Sequence, residues 1–305
     1  MTDAPVRRDD RMEQVENVRE GGMPDKTPSP PADLLATIVA ATRTAVAERQ
    51  ARRPLRDVER AAGERQPQGD RFVAALADPD RYSVIAECKR RSPSRGMIRA
   101  DYEPAEIAAG YAAAGAAAVS VLTEPAFFDG AIDHLRAVRR RIDLPLLQKD
   151  FVVSEYQLLE GRAAGADAAL LIAAALDDET LRRLAAKAAG LGLAVLAEVH
   201  SRRELDRVLA AGAAVVGVNN RNLRTLAVDL EASRTLIDAI PEGTPAVAES
   251  GLRSPADLQE LRSAGYDAFL MGESLMTQPE PGAALARLLH GVEPVARGAR
   301  GRVTA

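Results

Sequence analysis

The stretch IAECKRRSPS, residues 85–94, sets a lysine directly before two arginines in a chain with only four lysines, Lys26, Lys89, Lys149 and Lys187, among 40 basic residues. A second stands in LPLLQKDFVV, at Lys149. Where arginine is the favoured cation, a lysine marks a place that needs different chemistry. A guanidinium stays protonated, whereas a partly buried ammonium can have its pKa lowered, release a proton and act as a compact donor to a phosphate or carbonyl oxygen. Carboxylates stand in similar contexts, Glu87 two residues before Lys89 and Glu198 in LAEVH. Asn219 and Arg221, in GVNNRNL, add an amide and a fixed cation. Brought together, two lysines facing two carboxylates could carry out acid-base chemistry.

Such groups must be gathered by the elements around them, and a weak internal repeat says how. An alanine-rich helical stretch, then Ala-Gly, then a short apolar run recurs as YAAAGAAAVSVL, GRAAGADAALLI, RVLAAGAAVVGV and LRSAGYDAFLM. Its glycines are Gly115, Gly165, Gly212 and Gly265, and Gly190 near the middle of one interval halves the unit to one strand plus one helix. Glycine suits the helix C-cap because it accepts a left-handed backbone without a Cβ clash. The period predicts strands at 82–88, 117–122, 144–149, 167–172, 193–198, 214–219, 245–249 and 267–271. Their continuous apolar runs suit parallel strands covered by helices, so the expected fold is an α/β (β/α)8 TIM barrel over 31–292. An open doubly wound sheet would carry a glycine fingerprint after its first strand, and none is present. DLLATIVAATRTAVAER, from Asp33, reads as an extra N-terminal helix capped by Asp33.

In such a barrel the chemistry lies at the C-terminal strand ends, where all of these polar residues fall. Alternation gives Glu87 and Lys89 one parity and turns Cys88 to the helix layer as an inert buried thiol; Asn219 and Arg221 likewise share a face. Salt bridges closing the barrel mouth would explain one Lys/Glu pair, but four such groups at strand ends favour function. AESGL and FLMGESL place glycines after the last two strands, the usual phosphate pocket of this fold, formed here by Ser250, Gly251, Gly272 and Glu273. Glu273 would contribute its backbone, since a carboxylate repels phosphate. RRSPSRGM, after the first strand, is expected to be a mobile loop that orders over substrate.

Other classes are excluded or unsupported. A net charge of -4 with no aromatic-interleaved basic cluster gives no basis for nucleic-acid binding. The apolar runs are too short and Gly/Ala-interrupted to span a bilayer, and one cysteine excludes an internal disulfide framework. Residues 1–30 are charged, Pro/Gly-punctuated and without a secretory signal, which suggests a disordered tail on a cytoplasmic protein; 293–305 reads as a loose C-terminal tail. His134, His200 and His290 are scattered, and HSRRE reads as a solvated helix start, so no metal site is expected.

In order along the chain, IAECKRRSPSRG, SVLTEPAFFDG, LPLLQKDFVV, GADAALLIAA, LAEVH, GVNNRNL, AESGL and AFLMGESLM closely resemble the indole-3-glycerol-phosphate synthase family over 33–290. The resemblance implies a tryptophan-pathway barrel without metal or organic cofactor. Its substrate is 1-(2-carboxyphenylamino)-1-deoxyribulose 5-phosphate, converted to indole-3-glycerol phosphate with loss of CO2 and water. Lys149 resembles the family's general acid, and Glu198 the group serving the later proton transfers. Lys89 looks like the lysine near the substrate carboxylate and phosphate, with Glu87 and Asn219 holding the reacting centre. Ser92 and Arg221 resemble substrate contacts, Phe151, Leu170 and Leu223 the anthranilate pocket, and Ser250, Gly251, Gly272 and Glu273 the phosphate-binding positions. Transient contact with other enzymes of the pathway is implied as well, and the chain looks like the form without a fused isomerase barrel. Three alternatives remain open. One is a Schiff-base aldolase with Lys149 as nucleophile. Another is phosphoribosylanthranilate isomerase, which would want a Cys/Asp pair that Cys88 faces the wrong way to supply. The third is a non-catalytic phospholigand-binding barrel.

Overall fold

Short runs of Val, Leu, Ile and Ala, buried on both faces, form parallel strands because only a sheet covered on each side satisfies them. The computed structural model describes Met1, Thr2 and residues 33–300. The rest of the tail expected over 1–30, and residues 301–305, lie outside the described residues. In chain order the strands are β1 (Ser83–Cys88), β2 (Arg91–Ser92), β3 (Gly96–Met97), β4 (Ala118–Leu122), β5 (Leu146–Lys149), β6 (Ala168–Ile172), β7 (Ala194–Val199), β8 (Val215–Asn219), β9 (Ala246–Glu249) and β10 (Ala268–Met271). Eight of them close a parallel barrel in the order β1-β10-β9-β8-β7-β6-β5-β4, a (β/α)8 TIM barrel. β2 and β3 form a separate antiparallel hairpin within the stretch read as a mobile loop.

Alternation along each strand splits the core in two. Val84, Ala86, Cys88, Val119, Leu171 and Val216 pack outward against the helices. Ile85, Leu147, Leu170, Leu196, Val247 and Leu270 fill the barrel. Gly115, Gly165, Gly212 and Gly265 all adopt positive φ, of 90°, 110°, 77° and 117°, where each helix turns back toward its next strand. Beside two of them the repeat carries an aspartate that ties neighbouring strands at the barrel floor. Asp167 Oδ2 accepts from Leu146 N at 3.0 Å, and Asp267 Oδ2 from Ala246 N at 2.8 Å.

One extra helix was expected before the barrel, and three form: α1 (Leu34–Arg52), α2 (Leu55–Gly63) and α3 (Gly69–Leu76). Asp33 caps α1, its Oδ1 accepting from Ala36 N at 3.0 Å. Leu34, Leu35 and Ile38 of α1 join the interior cluster, as do Phe72 and Leu76 of α3, which packs on β1, β4 and β7. Each large apolar side chain buried this way contributes about 1.5–3 kcal/mol.

The stretch after the last helix (Pro281–His290) was expected to be loose. It carries no regular element up to Arg300, yet it is pinned by arginines. Arg262 Nε donates to Val295 O at 2.9 Å, Arg300 Nε to Gly265 O at 2.9 Å, and Arg300 pairs with Asp267. The apolar content of this segment is low, so hydropathy could not reveal an attachment made by ion pairs and carbonyls.

Candidate active site

The barrel alternation carries Glu87 from β1 and Lys89 just after it, Lys149 from β5, Glu198 from β7 and Asn219 from β8 into one cavity at the C-terminal mouth. Ser92 enters from the hairpin and Arg221 and Leu223 from the segment after β8; Phe151 and Leu170 form apolar wall, and Ser250 and Glu273 close the far side. Gly251 and Gly272 line an adjoining pocket that shares Lys89, Arg221, Ser250 and Glu273. All the residues singled out from the sequence are therefore brought together.

Two lysine–carboxylate clusters organise the mouth. Lys89 Nζ lies 2.7 Å from Glu87 Oε1. Lys149 Nζ lies 3.2 Å from Glu198 Oε2 and 3.3 Å from Glu249 Oε2, both carboxylates about fully buried at 1% side-chain exposure. Glu249 is the residue the sequence reading left out of the chemistry. The signal was present: it shares the parity of Val247, which packs inside the barrel. Two carboxylates are expected on the two lysines, and three are found there.

That third carboxylate reverses one expectation. A lowered lysine pKa was anticipated; burial does work that way on Lys149, but Glu249, Glu198 and Glu87 outweigh it and hold the ammonium above the ordinary lysine value. The two carboxylates sharing Lys149 part company. Burial works to raise Glu198, yet Lys149, His200 and Asn219 prevail and keep it below the usual range. Glu249 is pushed up to about 8 by burial and by the charges of Glu198 and Glu87, against Lys149. Two anions this near one cation cannot both ionise at ordinary cost, so the site holds a proton near neutrality. Cys88, facing the helices, is pushed up by burial and by Glu87, as an inert thiol would be.

The glycine turns are fixed by their surroundings. Ser250 and Gly251 both take positive φ, 67° and 85°. Asn220 Nδ2 donates to Glu249 O at 3.1 Å and Ser250 O at 3.2 Å, holding Ser250 in a conformation that costs a non-glycine residue about 1–2 kcal/mol. Glu273 begins a short helix (Glu273–Met276). Its carboxylate is held by Arg95 Nε at 2.8 Å and Arg221 at 3.4 Å. Arg95 ties the hairpin tip to that pocket, and Arg90 pairs with Asp129 at 2.9 Å at its base.

Three more wall residues escaped the sequence reading. The ring of Phe128 lies 6.0 Å from that of Phe151, tilted by 36°, and Leu34 and Ile38 of α1 line the mouth. FFDG offered a signal for the first; nothing local reveals where α1 docks. His200 stands just before the next helix (Arg202–Ala210), which Ser201 caps; its backbone N–H donates to Glu204 Oε2 at 2.7 Å, while its ring bonds Arg221 O. Among the described residues no group of three or more His, Cys, Asp or Glu is placed to hold a metal ion, and no helix is long and apolar enough to cross a membrane.

The family model described as indole-3-glycerol phosphate synthase matches residues 35–288. The chain belongs to the indole-3-glycerol phosphate synthase family. It is 47% identical over 261 residues to an indole-3-glycerol phosphate synthase of Laribacter hongkongensis, covering 84% of this chain and 99% of that one. It is 47% identical over 270 residues to one from Streptomyces griseus, covering 88% of this chain and 99% of that one. Among solved structures, a 3-hexulose-6-phosphate synthase aligns with a TM-score of 0.54 at 16% identity, over 69% of this chain and all of that one. A thiamine phosphate pyrophosphorylase from Pyrococcus furiosus aligns at 0.52 and 18%, over 69% and 95%. At those identities the likeness shows the barrel fold alone.

Proposed function

We propose that the protein converts 1-(2-carboxyphenylamino)-1-deoxyribulose 5-phosphate to indole-3-glycerol phosphate, CO2 and water. The observation that carries the reading is the Lys149 ammonium held between Glu198 and Glu249, beside an apolar wall and next to the glycine-lined pocket. The phosphate would sit on the backbone of Ser250, Gly251, Gly272 and Glu273, with Lys89 between it and the substrate carboxylate. The aromatic ring would pack against Phe128, Phe151, Leu170 and Leu223.

In this reading the ring carbon bearing the carboxylate attacks the ketone carbon, and the ketone oxygen takes a proton from Lys149 to become a hydroxyl. Loss of CO2 returns an electron pair to the ring. The hydroxyl then takes a second proton from a lysine ammonium of the mouth, Lys89 or a reprotonated Lys149, and leaves as water, while Glu198 removes a proton from the neighbouring carbon to complete the indole double bond. Glu87 and Asn219 hold the reacting centre. The activity is that of a carbon–carbon lyase of tryptophan biosynthesis, acting in the cytoplasm on a small phosphorylated substrate and in transient contact with enzymes of the same pathway.

An ammonium held protonated by its neighbours is a poor nucleophile, which disfavours the Schiff-base aldolase alternative. Borohydride in the presence of substrate should trap no adduct at Lys149. The direct test mixes the protein with the substrate and follows indole fluorescence. Tight binding without turnover would reject the enzyme reading in favour of a phospholigand-binding barrel.

A further inference from the structure

Gly217 faces inward in the middle of β8, where glycine weakens a strand, and its φ lies outside the left-handed region that would require one. The reason for it comes from the neighbouring strand. A Cβ at 217 would lie 2.0 Å from Glu249 Oε1, 3.2 Å from Glu249 Cδ and 3.2 Å from Leu196 Cδ1. The Glu249 carboxylate therefore occupies the space a side chain at 217 would take. In register, Gly217 stands beside Glu198 on β7 and Val247 on β9. The gap thus lies between the two carboxylates that share Lys149.

We infer that Gly217 is a positioning residue for the reaction: its missing side chain seats Glu249 low in the barrel, so that Glu249 and Glu198 grip Lys149 from two sides. The catalytic meaning of this rests on the proposed function; the seating itself does not. The same device recurs at the other lysine, where a Cβ on Gly272 would lie 2.4 Å from Glu87 Oε1. Neighbouring backbones thus make room for both acid-base pairs, and a methyl at 217 has no free space to enter. It would lift the Glu249 carboxylate toward the mouth and water, away from Lys149 of β5, Glu198 of β7, Glu87 of β1 and Lys89 just after β1.

The test compares Gly217→Ala, Glu249→Asp and the double variant with the parent, by steady-state kinetics and by 13C titration of the Glu249 carboxyl, assigned by its loss in Glu249→Gln. The alanine should lower kcat by about tenfold or more while KM changes less than about threefold. The Glu249 midpoint should fall by about one pH unit or more as water reaches the carboxyl. Against Glu249→Asp, whose shorter side chain clears the methyl, the alanine should cost less than about threefold. An unchanged midpoint in folded Gly217→Ala overturns the inference whether or not the protein turns over substrate, and so does an equal kcat loss in both backgrounds. A shifted midpoint in a protein without turnover rejects the functional reading and upholds the seating of Glu249. If Gly217→Ala does not fold, folding of the double variant supports the inference, and failure of both overturns it.

Discussion

Replacing Glu249 by glutamine should remove a tilt from the protein's stability-versus-pH curve. Burial and the charges of Glu198 and Glu87 lift this carboxyl from 4.5 to about 8 against the pull of Lys149. Between those values the folded protein keeps a proton that the unfolded chain has released, so stability falls as pH rises through the window. The contribution is fully present below pH 4.5 and gone above about 8, a span of 8 − 4.5 = 3.5 units. At about 1.36 kcal/mol per unit, the tilt amounts to about 5 kcal/mol. Neither partner of Glu249 adds to it. Glu198 is lowered and its contribution is lost only as pH falls below the ordinary carboxylate value; Lys149 is raised and its contribution is lost only above the ordinary lysine value of 10.5. Glutamine has the same shape and no charge to release. Relative to the parent, Glu249→Gln should therefore gain stability by about 1.4 kcal/mol per unit from about pH 5 to 8 and then level off. Urea unfolding followed by far-ultraviolet circular dichroism at unit pH steps reads this directly. Parent and variant curves that keep a constant offset from pH 5 to 9 would refute the reasoning.

Lys149→Arg, measured by indole fluorescence, should lose about 10²–10⁴-fold in kcat, because a guanidinium keeps its charge but not its proton-donating role or compact fit; full activity would remove Lys149 from the acid's role. Arg300→Ala, far from the mouth, should cost about 1–3 kcal/mol in urea unfolding while kcat/KM holds, because it removes the buried partner of Asp267, which keeps Arg297 at 3.3 Å, and the donor to Gly265 O. Arg95→Ala removes an ion pair with 58% of the arginine side chain exposed. It should change stability by less than about 1 kcal/mol yet speed hydrogen exchange at residues 91–97. Substrate should slow exchange there in the parent, and no added protection would count against a hairpin that closes over the ligand.

The barrel was legible because its physics is local and repeated. Apolar runs of strand length, alanine-rich helices and glycines at the turns mark each βα unit, and all eight strands form within two residues of the predicted bounds. Most of the site followed, since parity alone sends Glu87, Lys89, Asn219 and Arg221 to the mouth and Cys88 to the helices. What escaped was set by contacts between distant segments. α2 and α3 bear no repeat signature and find their places by packing on the barrel, and the chain after His290 is held by arginines on carbonyls and carboxylates.

From sequence alone came the barrel, the family resemblance and the roster of polar groups at its mouth, because strand periodicity dictates which side chains share a face. Only the tertiary structure decided how those groups divide their protons. Glu249 joins Lys149 because β9 stands where Gly217 leaves room for its carboxyl group, and the carboxyl groups of Glu249, Glu198 and Glu87 together hold Lys149 charged when its own burial would discharge it. A pKa is set by distances among charges from β1, β5, β7 and β9, and those distances exist only once the barrel has closed.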